Sequence, residues 1–433
     1  MVTNSNLLEL QNPWWKDAFL ILKDQHLLEI QDKPYKYDPP LLDAITFNRG
    51  DINIIRGPRQ VGKTTTLKLL IKKIVMGGAK PSSVIYLSCE SLESRKELQH
   101  VLMECLEAKL SEHVYIFLDE ISFIPSWQRA ILALANMGFL RNASVILTGS
   151  NSRDLKESSE KLPGRRGEGK DYKLYPLSFP EICGLECFKN KNRDEMLNIY
   201  MLIGGFPRAI ADFATHGYVT DSTYETYRNW IAGDAQKYEL RQETLKQILF
   251  RIAETMSSRI TWPILIENSP VKSHETALQY VEHLQDAFLC FIHYCYNERI
   301  KGAAFQKARK LYFIDPLLFT ISATWRVGTP NMFDWMRLKL SEPEFRGRLF
   351  ESIVVSHASR LCERTYYWYS TKQKKEVDLV MVYQEGITLY EAKLQGEAPY
   401  RAMERDVQII SPEKFFDFVS KQSKIIQSTA VGK

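Results

Sequence analysis

The sequence predicts an α/β fold whose first half is built on a parallel β-sheet, and three observations support this prediction. Short runs rich in β-branched residues alternate with segments of helical periodicity. The run at 52–55 leads directly into a glycine-bracketed loop and a helix. The run at 114–118 is apolar throughout and ends in two acids, which is typical of a strand buried on both faces of a parallel sheet. In such folds ligands bind at the carboxyl ends of the strands, so a site is expected there.

The length and composition indicate a globular protein of several domains. The chain has 433 residues, of which 45% are hydrophobic and 25% charged, and this length predicts about two to four domains. A net charge of only +5 does not argue for nucleic-acid binding. The seven cysteines form no CxxC pair, so a reducing cytoplasmic location is expected. No signal peptide and no membrane-spanning segment are predicted.

Two adjacent tryptophans, Trp14 and Trp15, lie in a segment at 13–24 that is predicted to be helical. Such a pair can stack on a nucleic-acid base or pack as an apolar staple of the first helix. Packing is the favoured interpretation, because aromatic side chains most often contribute to cores.

The glycine-bracketed loop matches the pattern G-x-x-x-x-G-K-[ST] and predicts a nucleotide-binding site. Its glycines let successive N–H groups surround phosphate oxygens, and the following helix adds its positive dipole end. The Lys63 ammonium can reach the β- and γ-phosphates and assist their transfer, and the Thr64 hydroxyl can bind Mg²⁺. The residues assigned to the nucleotide are Gly57, Pro58, Arg59, Gln60, Val61, Gly62, Lys63, Thr64 and Thr65.

Two acids, Asp119 and Glu120, end the apolar strand, 55 residues after Thr64. At the carboxyl edge of the sheet, Asp119 is predicted to hold Mg²⁺, usually through water, and Glu120 to polarise the attacking water. The alternative is a solvated acidic turn. The alternating α/β pattern around both motifs favours the catalytic interpretation.

The next strand, 143–148, is predicted to lie beside the first two and to end in small polar groups. Ser150 and Asn151, and less so Thr148, could sense the γ-phosphate and orient water. The alternative is a glycine turn capped by serines.

A glycine- and arginine-rich stretch at 153–170 includes Arg165 and Arg166. An arginine in a loop near the sheet edge can neutralise charge on the γ-phosphate, in the same chain or across a subunit interface. The alternative is a basic loop without a catalytic role. The segment 173–178 is then predicted as the last strand of the sheet.

The motifs GPRQVGKT, YIFLDEI, VILTGSNS, LPGRRG, YPLSFPEI and the later GGFPR together resemble a prokaryotic group of AAA+ ATPases. In that group the ATPase module precedes a winged-helix segment and a C-terminal domain of PD-(D/E)xK nuclease fold. The resemblance implies ATP as the nucleotide and extends over nearly the whole chain. The chain is predicted to have an N-terminal helical extension at 1–34, which lies before the part that the resemblance covers. The predicted domains that follow are a P-loop ATPase domain at 35–177, a helical lid or linker at 178–242, a winged-helix-like domain at 243–325 and a nuclease-like domain at 326–433.

The winged-helix-like segment is predicted from three helices followed by a hairpin. Ser273 is expected to cap the third helix, and strands are expected at 288–296 and 310–314. The wing would carry basic residues able to contact DNA phosphates, namely Lys301, Lys307, Arg309 and Lys310. The third helix is not basic, so packing against protein is the alternative.

The last domain is predicted to place Asp378 and Glu391 on adjacent strands, with Lys393 on the same face as Glu391. Two carboxylates can hold Mg²⁺ while a lysine orients water against a phosphodiester. The pattern resembles the E…D…ExK site of restriction-endonuclease-like folds, in which Glu351 would be the acid on the helix. The alternative is an ordinary salt-bridged pair.

Three functions follow from these motifs. The first is an Mg²⁺-dependent ATPase whose cycle moves the attached domains. The second is a metal-dependent nuclease regulated by ATP, and the third is a non-catalytic switch or scaffold that binds ATP and then DNA or protein. The expected partners are ATP and DNA, the latter through the winged-helix-like or C-terminal domain; a homo-oligomer or a partner protein is left open.

Overall fold

The computed structural model describes residues 4–150, 164–267, 271, 273–396 and 400–430. The chain divides into two units, Met1–Tyr175 and Pro176–Lys433. In the part of the chain that is described, no helix combines the length and the apolarity needed to cross a membrane.

The first unit alternates strands and helices around one sheet. Its strands are β1 (Ile52–Arg56), β2 (Val84–Ser88), β3 (Val114–Asp119), β4 (Ala143–Gly149) and β5 (Asp171–Lys173). Its α-helices are α1 (Asn4–Gln11), α2 (Gln25–Gln31), α3 (Leu41–Ala44), α4 (Lys63–Met76), α5 (Arg95–Glu107) and α6 (Trp127–Asn136).

The sheet of the first unit is parallel, in the order β2-β3-β4-β1-β5. Strand β4 lies between β3 and β1, so the predicted place of the 143–148 strand beside the phosphate-binding loop is confirmed. Strands β1, β3 and β4 are almost wholly buried because helices cover both faces, which explains their unbroken apolar sequences.

The prediction of a last strand at 173–178 is wrong, because strand β5 ends at Lys173. One further backbone hydrogen bond, from Leu174 N to Arg56 O at 2.7 Å, follows it. Pro176 has no N–H with which to continue the hydrogen-bond ladder, so β5 ends before the predicted position. The strand also begins earlier than predicted, at Asp171.

The N-terminal segment packs along the edge strand β2. The Asn12 side chain forms two hydrogen bonds with the Tyr86 backbone, donating to its carbonyl at 2.8 Å and accepting from its N–H at 2.6 Å. The indole N–H groups of Trp14 and Trp15 both donate to the Val84 carbonyl, and Trp14 is fully buried. The packing interpretation of the tryptophan pair is therefore confirmed, although two 3₁₀ helices, Pro13–Trp15 and Ala18–Lys23, replace the predicted helix at 13–24.

The second unit begins with helices and ends with a mixed sheet. Its helices are α7 (Phe179–Cys183), α8 (Arg193–Ile203), α9 (Pro207–His216), α10 (Asp221–Lys237), α11 (Gln242–Glu254), α12 (Trp262–Ile266), α13 (His274–Asp286), α14 (Pro316–Trp325), α15 (Met332–Lys339), α16 (Pro343–Leu361) and α17 (Pro412–Ala430). Its strands are β6 (Cys290–Tyr294), β7 (Tyr296–Asn297), β8 (Gly302–Ala303), β9 (Arg309–Phe313), β10 (Thr365–Ser370), β11 (Lys375–Tyr383), β12 (Gly386–Ala392), β13 (Tyr400–Ala402) and β14 (Arg405–Ile410).

The C-terminal sheet has the order β10-β11-β12-β14-β13, in which β12 and β14 are parallel and the other neighbours antiparallel. Strands β6 and β9 form a separate antiparallel pair in which His293 lies opposite Lys310. The predicted order of three helices followed by this hairpin is present, and Ser273 Oγ accepts a hydrogen bond from Thr276 N as the predicted cap of α13. The winged-helix assignment itself stays a prediction.

A glycine pair between α8 and α9 forms a tight junction within the second unit. Gly204 has a left-handed φ of +67°, and a Cβ added to Gly205 would lie 2.0 Å from the Leu177 carbonyl oxygen. The buried carboxylate of Asp315 accepts hydrogen bonds from Gly205 N at 2.8 Å and from Leu317 N at 2.9 Å. Only glycine fits this approach of three backbone segments.

Candidate functional site

The phosphate-binding loop lies at the carboxyl end of β1, where β3 and β4 also end. A Cβ on Gly57 would lie 2.2 Å from the Leu174 carbonyl oxygen, and Gly62 caps helix α4 with a φ of +99°. Both positions therefore require glycine. Helix α4 begins at Lys63, which directs its free N–H groups and positive dipole end toward the loop.

The Lys63 ammonium is buried over the loop. It donates to the Gly57 carbonyl at 3.2 Å and to the Pro58 carbonyl at 3.0 Å, and it lies 3.2 Å from Glu120 Oε1. Its side chain is only 4% exposed. The positive charge that a nucleotide's phosphates would meet is thus held in place by the loop and by the neighbouring acid.

Asp119 contacts Thr64 of helix α4, the residue with which it is predicted to hold Mg²⁺. The Thr64 hydroxyl donates to Asp119 Oδ2 at 2.7 Å, the Tyr86 hydroxyl donates to the same oxygen at 3.0 Å, and the Thr148 hydroxyl donates to Oδ1 at 2.5 Å. A hydroxyl and a carboxylate side by side are hard oxygen ligands that suit Mg²⁺. The residues present therefore fit the predicted metal, with Thr64 and Asp119 as the groups that would hold it.

Tyr86 and Thr148 orient the Asp119 carboxylate, a role that the sequence did not predict for them. They come from β2 and β4, the strands on either side of β3. Their position in the sequence could have indicated this role. A polar side chain near the carboxyl end of a strand next to β3 can reach Asp119, the acid at the end of β3.

Glu120 adopts a left-handed conformation with φ of +49°, and this turn directs its carboxylate toward the loop. Its backbone N–H donates to Thr148 Oγ1 at 2.9 Å, and its Oε2 accepts from Ser150 N at 3.2 Å. Burial alone would raise the pKa of Glu120, but the Lys63 ammonium and then Arg59 lower it below its ordinary value. The carboxylate is therefore charged at neutral pH, as a group that polarises water must be.

Ser150 is brought to this site through its backbone contact with Glu120, and it is buried. Asn151, which is another candidate sensor, lies outside the described residues.

The two candidate finger arginines lie at the other end of β1. Arg166 donates from Nε to the Ile52 carbonyl at 3.2 Å and pairs with Asp171 at 2.6 Å. Ile52 opens β1, whereas the loop follows its last residue, and a strand of five residues is about 16 Å long. Arg165 is exposed beside it. The structure thus does not bring Arg165 or Arg166 to the phosphate-binding loop of their own chain, and a role across a subunit interface stays a prediction.

The four candidate residues of the C-terminal domain lie on the elements that the sequence assigned. Glu351 lies on α16, Asp378 on β11 and Glu391 on β12, and Asp378 Oδ2 accepts from Ala392 N at 3.1 Å. Glu391 pairs with Lys393 at 3.1 Å and accepts a hydrogen bond from the Tyr400 hydroxyl. Asp378 and Glu391 are therefore on adjacent strands, as predicted.

The prediction that Arg309 and Lys310 contact DNA phosphates from a wing is wrong for both side chains. Lys310 is 1% exposed and binds Glu351 and Glu376, and the Arg309 guanidinium lies over the Trp262 ring, 4.4 Å from its centroid. Alternate residues of a strand face opposite sides, and both sides of β9 are covered. Of the four basic residues predicted for the wing, Lys301 and Lys307 are exposed.

Metal binding by the C-terminal residues is not supported by their arrangement. Across the described ranges, no group of three or more His, Cys, Asp or Glu side chains is placed to hold a metal ion. Lys310, which the sequence did not single out for this site, lies among the acids instead. Lys310 is close to these acids because the β6–β9 hairpin packs against α16 and β11. No local sequence pattern predicts that packing.

Two family models match parts of the chain. Residues 49–183 match a model described as an AAA domain, which supports the predicted P-loop AAA+ domain in this part of the chain. Residues 194–324 match a model described as a domain of unknown function, DUF8612. This second match spans most of the predicted lid and winged-helix-like segments, and it assigns them no activity.

Similar proteins are found among both sequences and structures. An uncharacterized protein of Haemophilus influenzae (strain ATCC 51907 / DSM 11121 / KW20 / Rd) is 28% identical over 290 residues, which are 63% of this chain and 70% of that protein. The Aeropyrum pernix ORC2 protein in ADPNP–ADP complexes is 15% identical with a TM-score of 0.38, over 67% of this chain and 89% of that one. The Aeropyrum pernix ORC1 protein in complex with DNA is 12% identical with a TM-score of 0.33, over 71% and 96%.

Proposed function

We propose that this protein is an Mg²⁺-dependent ATPase whose nucleotide site lies in the predicted P-loop domain at 35–177. The observation that carries the proposal is the contact of the Thr64 hydroxyl with Asp119 at 2.7 Å, directly beside the phosphate-binding loop. Glu120 follows in sequence and is held charged against Lys63. A phosphate cradle, a pair of Mg²⁺ ligands and a charged carboxylate are the parts that hydrolysis of a γ-phosphate needs.

Each residue has a distinct part in the proposed reaction. The loop N–H groups bind the phosphates, and Lys63 exchanges its loop carbonyls and Glu120 for the β- and γ-phosphate oxygens. Release from Lys63 leaves the Glu120 carboxylate free to accept a hydrogen bond from the attacking water. The metal ion, held by Thr64 and Asp119, would supply charge neutralisation on the phosphates. Ser150, which is buried beside Glu120, is proposed to orient the water or contact the γ-phosphate.

The first test is the substitution Lys63→Ala. We expect the rate of ATP hydrolysis to fall by about 10²–10³-fold, because a preorganised charge on the phosphates is lost. The measurement is steady-state phosphate release from the full chain with ATP and Mg²⁺. Lys73→Ala is the matched control, because Lys73 is an exposed lysine of the same helix that pairs with Asp43, and it should retain the wild-type rate.

Two results would contradict the ATPase proposal. One is a wild-type protein that binds no ATP, and the other is hydrolysis that survives Lys63→Ala. A wild-type protein that binds ATP tightly but completes less than one turnover in a single-turnover assay would instead support the ATP-dependent switch.

A second candidate function, DNA binding, is favoured by a groove in the second unit. The groove has a volume of about 580 Å³. It lies between the connection that joins β6 to β9, which we call the hairpin loop, and the end of β10. Its lining includes three basic side chains, Arg299, Lys307 and Lys372, and one acid, Glu298. Three aromatic residues, Tyr296, Trp368 and Tyr369, also line it. Basic side chains beside an aromatic ring suit a phosphate backbone with an unstacked base, which favours single-stranded DNA as the ligand.

The groove is tested by the double substitution Lys307→Ala/Lys372→Ala. We expect the affinity for a single-stranded oligonucleotide to fall about tenfold and the slope of log K against log salt to decrease by about one to two. Fluorescence anisotropy at two salt concentrations measures both, with duplex DNA and RNA in parallel. The control is Lys189→Ala/Lys191→Ala, two exposed lysines elsewhere. Equal affinities in both double variants, or no binding by wild type, would rule out this groove.

A further inference from the structure

The residues of the C-terminal domain that resemble a nuclease site surround a lysine rather than an open cation site. Lys310 lies on β9, and its Nζ is 2.6 Å from Glu376, 2.8 Å from Glu351 and 3.4 Å from Asp378. We call these three acids the carboxylate cluster. They come from α16 and β11, so three chain segments meet at one ammonium group.

Three further groups of the protein also bind the carboxylate cluster. The Tyr312 hydroxyl, on the same face of β9 as Lys310, donates to Glu351 at 2.6 Å. Arg259 pairs with the second oxygen of Glu376 at 2.8 Å, and Ala392 N donates to Asp378. The neighbouring His293 is buried, and its Nε2 lies 3.2 Å from the Asp378 carbonyl oxygen.

The Lys310 ammonium is enclosed by the protein at this place. Its side chain is 1% exposed, and three carboxylates lie within 3.4 Å of its Nζ. Removing a buried cation from three acids would leave their charges uncompensated, which is strongly unfavourable.

A divalent ion and this ammonium group cannot occupy the cluster together. Mg²⁺ needs oxygen ligands at about 2.0–2.1 Å in near-octahedral geometry, and the position between the three acids is taken by Nζ. Glu391, the other acid predicted to hold metal, is turned to Lys393 and Tyr400. The two acids that a metal would bridge are each engaged by a different lysine.

We propose that Lys310 is a built-in cation that takes the place of a divalent metal ion in the carboxylate cluster. The hairpin strand β9 thereby closes a site that the C-terminal elements would otherwise form, and the domain binds no Mg²⁺ or Mn²⁺ there. This inference concerns metal binding by the second unit and does not depend on ATP hydrolysis, so either can fail without the other.

The test measures how many Mn²⁺ ions the full chain binds in the absence of nucleotide. Electron paramagnetic resonance gives the concentration of free Mn²⁺, and subtracting it from the total gives the bound amount. We expect wild type and Asp378→Asn to bind the same amount, because Asp378 holds no metal in wild type. We expect Lys310→Met to bind about one additional Mn²⁺ per chain, and Lys310→Met/Asp378→Asn to lose it. Lys189→Met, which changes an exposed lysine of the second unit that pairs with Glu186, is the control and should match wild type.

Two outcomes would overturn the inference. The first is Mn²⁺ binding by wild type that Asp378→Asn removes. The second is a folded Lys310→Met protein that gains no Mn²⁺. If circular dichroism shows that Lys310→Met does not fold, Lys310→Met/Glu376→Gln replaces it, because this variant leaves one acid fewer without a counter-charge. The comparison of wild type with Asp378→Asn decides the question even if neither lysine variant folds.

Discussion

Replacing Glu120 by glutamine is expected to lower the turnover of ATP by about 10²–10⁴-fold while leaving ATP binding intact. The carboxylate faces the loop and is kept ionised by Lys63, so the amide keeps the shape of the side chain but loses the charge that polarises water. Stopped hydrolysis with retained binding separates a catalytic role from a structural one. The measurements are phosphate release and equilibrium binding of a fluorescent ATP analogue.

Glu112→Gln serves as the control for this change, because Glu112 lies at the surface of the same unit and pairs with Lys80. It should match wild type in both assays. A Glu120→Gln protein that keeps half or more of the wild-type turnover would remove Glu120 from the proposed mechanism. Loss of ATP binding together with turnover would assign it to maintenance of the loop instead.

Replacing Gly205 by alanine is expected to destabilise the second unit by about 3 kcal/mol or more, because the added methyl group would overlap a buried backbone carbonyl. The added Cβ would lie 2.0 Å from the Leu177 carbonyl oxygen. Moving Gly205 would break its hydrogen bond to Asp315, and moving Leu177 would break the hydrogen bond from Leu177 N to Gly205 O. Denaturant unfolding followed by circular dichroism, with tryptophan fluorescence as a second probe, measures the change.

Gly233→Ala is the matched control for Gly205→Ala. Gly233 lies exposed within α10, and, beyond the backbone of that helix, no atom lies within 4 Å of the position that an added Cβ would take. Alanine there should stabilise the protein by up to about 1 kcal/mol, because it is the better helix former. If both variants unfold at the same denaturant concentration as wild type, the glycine junction does not limit the stability of the unit.

The sequence was sufficient to predict the parts of the nucleotide site that lie in local motifs. The loop and its helix are one local motif, and Asp119 and Glu120 end a strand whose parallel neighbours could be inferred from alternation. The meeting of Thr64 with Asp119 therefore followed from topology alone. Tyr86 and Thr148 complete that cluster, yet their contacts depend on which strands flank β3, which the sequence did not specify.

The sequence was insufficient where a side chain's direction decides its role. Arg166 was expected near the phosphates because it belongs to a loop near the sheet edge, but its guanidinium contacts Ile52 at the opposite end of β1. Lys310 was expected on a solvent-facing wing because its neighbours are basic, and it is buried among acids. Both errors come from tertiary packing, which a local pattern of charges does not encode.

The hydrogen bonds of Asn12 to the Tyr86 backbone have a consequence for the solubility of the protein. Strand β2 is an outer strand of its sheet, and an uncovered outer strand offers free N–H and C=O groups to any other extended chain. One amide side chain satisfies the same donor and acceptor that a further strand would use, and two indoles cover the Val84 carbonyl. The N-terminal segment forms no strand, but it prevents another extended chain from pairing with β2 and so protects the protein against edge-to-edge aggregation.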